Sequence, residues 1–298
     1  MTVIHHAIKA LPVVLKPVED ELLSSWISRH AEYYGVKPLA MLRHCISDAP
    51  SLRSKDRRLS AEDGIRLGHI FHSLPANIRR MTHADVPQSA IWLLASKPIQ
   101  SCLECAEKNA QTDASRTILK SCFEGWRITC PVCGSKLFEV SGENAQRPQE
   151  AATPFPELWE QALHGQRLFD DAIIHNKWPW ASPIYIFRML LVRRLCKAAY
   201  PHDAFDYGRT ANLIVSGFDE TVQRLGLEVP RGTRRIVPMS IRPSLLAAVS
   251  TVIARGPDAI TNLFEATIGG YRLRFDKLAS QMQAEIRARQ TISQLLPS

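Results

Sequence analysis

The stretch Cys102–Leu137, CLECAEKNAQTDASRTILKSCFEGWRITCPVCGSKL, decides how the rest of the chain is read. It holds two Cys-x-x-Cys pairs, Cys102/Cys105 and Cys130/Cys133, with 24 residues between them. Two intervening residues turn the backbone so that both sulfurs of a pair face one point, and two such pairs can close around one ion. Pro131 stiffens the second turn, and Gly134 can take the positive φ that ends it. Four thiolates suit a closed, tetrahedral, structural Zn2+ site with no open position for a substrate. Disulfides and chance pairing are the competing readings of the same cysteines. The segment between the pairs is long enough to run out and back as a hairpin. It has few apolar residues, so metal binding would supply the folding free energy that burial cannot. Ile118, Trp126, Ile128, Leu137 and Phe138 are expected to form its small core. Cys122 reads as a buried apolar residue, because the four-ligand set is complete without it.

Outward from this module, composition sets bounds. The chain has 298 residues, 45% of them apolar, which fits a globular protein of two or three units. No run of about 18 uncharged apolar residues is present, which excludes a spanning helix. The amino terminus lacks a signal peptide's long apolar core. Seven cysteines, four of them in a zinc pattern, fit a reducing cytoplasm. The net charge of +8 is compatible with a polyanionic partner.

Before the cysteine module, residues 1–16 read as an arm. A helix is expected from Pro17, with Asp20 and Glu21 in its first turn. Leu22, Leu23, Trp26, Ile27 and His30 follow at helical spacing. Gly35 interrupts the pattern, and Pro38 can open a second helix. The pair is a helix-turn-helix candidate, or else a plain helical hairpin. Arg53, Lys55, Arg57 and Arg58 form a basic loop, readable as a solvated face or as phosphate contacts. Ser60 resembles a helix N-cap before an acidic turn. Ile65, Leu67, Ile70 and Phe71 mark that helix, Pro75 breaks it, and a short helix with Ile78, Arg79 and Arg80 completes a second such pair. Arg53, Lys55, Arg57, Arg58, Arg79 and Arg80 are the candidate DNA contacts.

After the module, SGENAQRPQEAATPFPE reads as a linker. The helices expected beyond it are LWEQALHGQRLFDDAIIH, with Leu158, Ala162, Leu168, Ala172 and Ile173 inward; IYIFRMLLVRRLCKAAY; two helices split by Gly256-Pro257; and a last one from Tyr271 to Leu295. The expected organisation is a helical region over 1–98, a zinc ribbon over 99–140, a linker over 141–156 and an all-helical domain over 157–298. The fold class is mainly α.

Chemistry-bearing motifs are missing. There is no GxxxxGK[ST] phosphate loop and no G-x-S-x-G elbow. No carboxylate set of the kind that holds two metal ions in a transposase is recognisable. His5-His6 and His175-Asn176 have no base and orienting partner beside them, so no catalytic residue is assigned.

The order of these features resembles the TniQ family of transposition proteins. In DELLSSWISRHAEYYGV, Leu22, Ser25, Trp26 and Arg29 match the family's amino-terminal pattern. LGHIFHSLPANIRRMTH, ending at Met81-Thr82, resembles its second helical unit. Cys102/Cys105, Trp126, Cys130, Cys133, Gly134 and Leu137 follow its ribbon, over roughly the first 140 residues in all. Position 133 is Cys where the family usually has His, a change zinc tolerates. The second zinc motif that many members carry has no counterpart after Leu137. The resemblance implies a non-catalytic bacterial adaptor, cytoplasmic and on the nucleoid when bound to DNA. Its partners would be DNA or a targeting complex, an AAA+ ATPase regulator and the transposase, with a homodimer among the assemblies such an adaptor can form. The alternatives are a zinc-ribbon helix-turn-helix transcription regulator, which would need no ATPase, and a zinc enzyme, which would need an open coordination position.

Overall fold

The computed structural model describes residues 10–112, 114, 116–140, 153–195, 207–227, 236–267 and 269–295. The structure is mainly α, and its described residues divide into two compact units. The first takes in the chain up to Val86, Ser96–Glu124, and the residues from Thr129 to Val140. The second takes in Pro87–Ala95, Gly125–Ile128, and the residues from Thr153 onward. The ribbon stretch is therefore divided: its cysteines lie in the first unit and Trp126 lies in the second.

The first unit contains α1 (Leu23–Tyr33), α2 (Pro38–Cys45), α3 (Leu52–Arg57), α4 (Ala61–Ile70) and α5 (Pro75–Arg80), then β1 (Gln100–Ser101), α6 (Leu103–Ala110) and β2 (Phe138–Glu139). Local signals set several boundaries. Gly35, at φ +65°, stops α1, and the Val36 N–H turns back to the Ala31 carbonyl at 2.8 Å. Pro38 opens α2. Ser60 caps α4 by accepting from the Asp63 N–H at 3.0 Å. Leu23, Trp26 and Ile27 of α1, Leu42 of α2, Leu67 and Ile70 of α4, and Ile78 of α5 form one core, closed by Phe71. Ile65, one of the residues that mark α4 in the sequence, is exposed.

Two expected elements differ. The first helix begins at Leu23, not near Pro17. Asp20 takes a φ of +58°, Glu21 pairs antiparallel with Leu119, and the Leu22 N–H bonds the Ile118 carbonyl at 3.0 Å. The helix does not start there because Glu21 and Leu22 are bridged to the chain between the cysteine pairs. The run from Arg53 to Arg58 is mostly helix, not loop, because Ser51 caps α3 by accepting from the Ser54 N–H at 3.1 Å.

The second unit contains α7 (Trp159–Ile174), α8 (Pro183–Leu190), β3 (Arg193–Leu195), β4 (Tyr207–Arg209), α9 (Phe218–Arg224), α10 (Arg242–Arg255), α11 (Pro257–Glu265) and α12 (Gly269–Leu295). Helix α10 is apolar nearly all round, and Leu245 through Ser250 are all buried, as a central helix requires. It packs on α7, whose Ala162, Leu168, Ala172 and Ile173 face inward as expected, with Leu158 half-buried. The approach is close: a Cβ on Gly165 would lie 2.1 Å from the Leu246 carbonyl oxygen. Gly256 and Pro257 separate α10 from α11. The helix expected across 184–200 ends at Leu190. Arg193–Leu195 instead pair antiparallel with Tyr207–Arg209, where Arg194 donates to the Arg209 carbonyl at 3.0 Å and pairs with Asp219 at 3.3 Å. Residues 196–200, the rest of that expected helix, and residues 141–152 of the expected linker lie outside the described residues, as do His5 and His6. Among the described residues, no helix is long and apolar enough to cross a membrane.

Candidate metal centre and basic face

The sulfurs of Cys102, Cys105, Cys130 and Cys133 lie within 4.8 Å of one another. Sγ of Cys102 is 3.4 Å from that of Cys133, and Sγ of Cys105 is 3.7 Å from those of Cys130 and Cys133. A tetrahedral zinc ion with Zn–S bonds of ~2.3 Å sets its sulfurs about 3.8 Å apart. The four residues thus fit such an ion in both donor type and spacing. Among the described residues, this is the one cluster of three or more Cys, His, Asp or Glu side chains close enough to hold a metal.

Local structure brings the sulfurs together. Cys102 precedes the first turn of α6 and Cys105 lies in it, so one helical turn aims both inward. In the second knuckle the Gly134 N–H returns to the Cys130 carbonyl at 2.9 Å, with Gly134 at φ +78°. The Cys130 N–H reaches the Ser135 carbonyl, and Thr129 pairs with Lys136. Strands β1 and β2 close the base through Gln100↔Glu139 and Ser101↔Phe138. Cys102, Cys105 and Cys130 are buried and Cys133 is exposed. Burial, followed by the crowding of the other thiols, pushes Cys102 up to about 12 and Cys105 higher still. Burial acts upward on Cys133 as well, but hydrogen bonds from Ser135 and the neighbouring thiols bring it down to about 7. A divalent cation would reverse this balance and hold all four as thiolates. Cys122 stays outside the cluster as a buried thiol.

The chain between the knuckles is not a free hairpin. After α6 it runs along the front of α1. The Ile118 N–H donates to Ser25 Oγ at 2.9 Å, and Ser25 Oγ donates to Glu21 Oε1 at 3.1 Å. Glu21 also takes Nε and Nη2 of Arg29 at 2.9 and 2.8 Å, with both side chains buried. The Lys120 N–H donates to the Asp20 carbonyl, and the Ser121 N–H to the Asp20 carboxylate. Trp26 donates its indole N–H to the Leu15 carbonyl at 2.8 Å. Ser25, Trp26 and Arg29 therefore hold the arm and the inter-knuckle chain onto α1.

The ribbon's expected core is redistributed. Leu137 is buried, Phe138 is half-buried and Ile118 is exposed. Trp126 and Ile128 are buried in the second unit. There the Trp126 indole and the Arg127 guanidinium both reach Asp170 at 3.1 Å, and the Ile128 N–H reaches Gln166 at 2.7 Å.

The basic candidates fall into two groups. Lys55 is paired with Asp63 at 2.7 Å, both half-buried. Burial acts upward on Asp63, but hydrogen bonds from Lys55 and Ser60 hold its carboxyl below the usual range. Arg79 is paired with Asp85 at 2.5 Å. Arg53, Arg57, Arg58 and Arg80 are exposed. Arg53 lies 5.7 Å from the Phe123 ring centre, and Arg80 donates to the Asn77 side chain. Lys120, which the sequence reading passed over, donates to the Arg80 carbonyl at 3.0 Å. A lone Lys beside apolar Leu119 carries no local signal, and only the fold brings it to α5. His175 sits at the carboxyl end of α7, its N–H on the Asp171 carbonyl.

Neither the curated proteins nor the solved structures contain a match to the chain. The TniQ family model matches residues 12–163, which span α1 to α6, the four cysteines and the start of α7. That span covers the helical pairs, the cysteine cluster and the chain that joins them, and the protein belongs to the TniQ family, whose members are transposition-associated adaptors.

Proposed function

We propose that this protein is a non-catalytic adaptor of DNA transposition. In this reading it helps choose the insertion target by binding DNA or a DNA-bound targeting complex, and it recruits an AAA+ ATPase that engages the transposase. The observation that carries the reading is the family match over 12–163, beside four cysteines close enough to hold one ion, a donor set that would fill the coordination of a tetrahedral zinc. Cys102, Cys105, Cys130 and Cys133 would hold a structural zinc ion, which joins the two knuckles and contributes folding energy. Arg53, Arg57, Arg58 and Arg80 are the proposed DNA contacts, with Lys55 and Arg79 weakened in that role by their carboxylate partners. The proposed location is the bacterial cytoplasm, on nucleoid DNA when engaged.

The test is co-purification with any AAA+ ATPase that neighbouring genes encode, followed by a transposition assay that scores insertion positions. The reading requires stable capture and a loss of target choice when the protein is omitted. Binding to its own promoter without any ATPase capture would favour a transcription regulator instead.

A further inference from the structure

Lys120 lies in a one-turn 3₁₀ helix, Lys120–Phe123, between the two cysteine knuckles. At one end of this turn its ammonium donates to the carbonyl of Arg80, the last residue of α5, at 3.0 Å. At the other end the Phe123 ring carries the Arg53 guanidinium of α3. Between them the His83 N–H donates to the Asp56 carbonyl of α3 at 2.7 Å, and the His83 ring meets Phe123 at 6.4 Å. The ribbon turn, α3 and the end of α5 thus present Arg53, Arg80 and Lys120 around one small surface of the first unit.

Three acidic side chains of this region are turned inward, while Asp85 is exposed and paired with Arg79. The Glu124 side chain is buried and lies 3.5 Å from His83 Nε2. Asp56 is buried and accepts from the Ser24 N–H at 2.9 Å. The Asp20 carboxylate accepts from the Ser121 N–H at 3.0 Å. Each of these three carboxylates has an inward partner, while Arg53 and Arg80 are exposed residues. An ammonium has three donors, and the bond to Arg80 engages one of them.

We infer that this junction is a composite phosphate-binding face for duplex DNA. Lys120 supplies the ribbon's contribution beside Arg53 and Arg80. The inference rests on the DNA-binding reading above and adds a residue from a different structural element. The long basic side chains suit sequence-independent contact with a charged backbone, and no base-reading role is assigned to them. Phosphate contacts of this kind set register on the duplex while other groups read it.

The test uses the full-length, zinc-loaded protein and a short duplex of arbitrary sequence, with binding followed by fluorescence anisotropy across a range of KCl concentrations. Lys120→Met keeps the aliphatic stem and removes the charge. Lys120→Met and Arg53→Met should each weaken binding and flatten the slope of log K against log salt by about 1. Lys120→Arg should restore the slope, and Lys108→Met on α6 should leave it unchanged. Thermal melts of each variant show whether the fold is kept. Unchanged slopes in folded Lys120→Met and Arg53→Met, beside normal wild-type binding, would overturn this face and spare the DNA reading. Absence of salt-dependent DNA binding by the wild type would overturn both. Variants that keep the DNA slope but lose capture of the ATPase would assign the face to an acidic protein and overturn the inference.

Discussion

Arg242 on α10 donates through Nη1 to the backbone carbonyl of Arg127 at 2.7 Å, across 115 residues of chain. Its other terminal nitrogen reaches the Val237 carbonyl at 3.0 Å, and the side chain is 2% exposed. Arg127 in turn pairs with Asp170 of α7. Replacing Arg242 by Met leaves both carbonyls buried without this donor, at about 1–3 kcal/mol each. Denaturant melts should show that loss, and a neutral outcome would mean water replaces the guanidinium.

Metal removal should separate the two halves of the cysteine stretch. Chelation, or Cys105→Ser, should abolish binding of one zinc per chain and speed amide exchange over 102–110 and 130–136. The Ile128 N–H and the Trp126 indole are held by Gln166 and Asp170 of their own unit. Residues 126–128 should therefore keep their protection. Equal loss across both segments in hydrogen-exchange mass spectrometry would show that the metal alone orders the stretch.

The Glu21–Arg29 pair is buried and shared with Ser25. Removing one partner strands the other charge, so Arg29→Met or Glu21→Leu should each cost about 3–5 kcal/mol. The double variant should be far less unstable than the sum of the two. Additive losses would place the effect elsewhere.

Gly165 meets the backbone of Leu246 where α7 and α10 cross. Gly165→Ala must push the helices apart, because the obstructing atom is a carbonyl oxygen rather than a flexible side chain. The expected loss is about 1–3 kcal/mol or more, despite alanine's better helix propensity. A raised melting temperature would contradict this.

His30 couples stability to pH. Its Nδ1–H donates to the Trp26 carbonyl at 2.8 Å, and Nε2 accepts from the Leu15 N–H at 2.9 Å. Protonation would destroy that acceptor. Burial, followed by the nearby Arg29 charge, lowers the ring below its ordinary value. The unfolded chain then binds the proton first. This contribution is present above about pH 6.5 and is lost as pH falls through the lower folded value. Burial raises the carboxyls of Asp20 and Asp56, which act in the opposite sense at lower pH. Urea melts of wild type and His30→Gln between neutral and mildly acid pH isolate the histidine. Parallel curves would remove it as the cause.

Part of this structure was legible because its causes are local. A two-residue spacing aims two sulfurs at one point, so the metal cluster could be read from Cys102, Cys105, Cys130 and Cys133 alone. Pro38, Ser60 and Gly256 mark helix ends through their own backbone and capping chemistry. The TniQ resemblance rested on the same short-range patterns, and the family match covers them. Glu21 carries no such mark. It reads as a first-turn acid, and it forms a bridge outside the helix only because Leu119 lies beside it.

The amino-acid order by itself determined the mainly helical character, the two Cys-x-x-Cys pairs and the family, since each is written in short patterns along the chain. Tertiary structure alone decided that Trp126 leaves the ribbon for Asp170, that Lys55 and Arg79 are neutralised while Arg53 stays exposed, and that Lys120 joins α5. These outcomes depend on contacts between residues far apart in the chain. Which groups meet across such distances is settled by packing and by the need to pair every buried charge, and no local pattern records it.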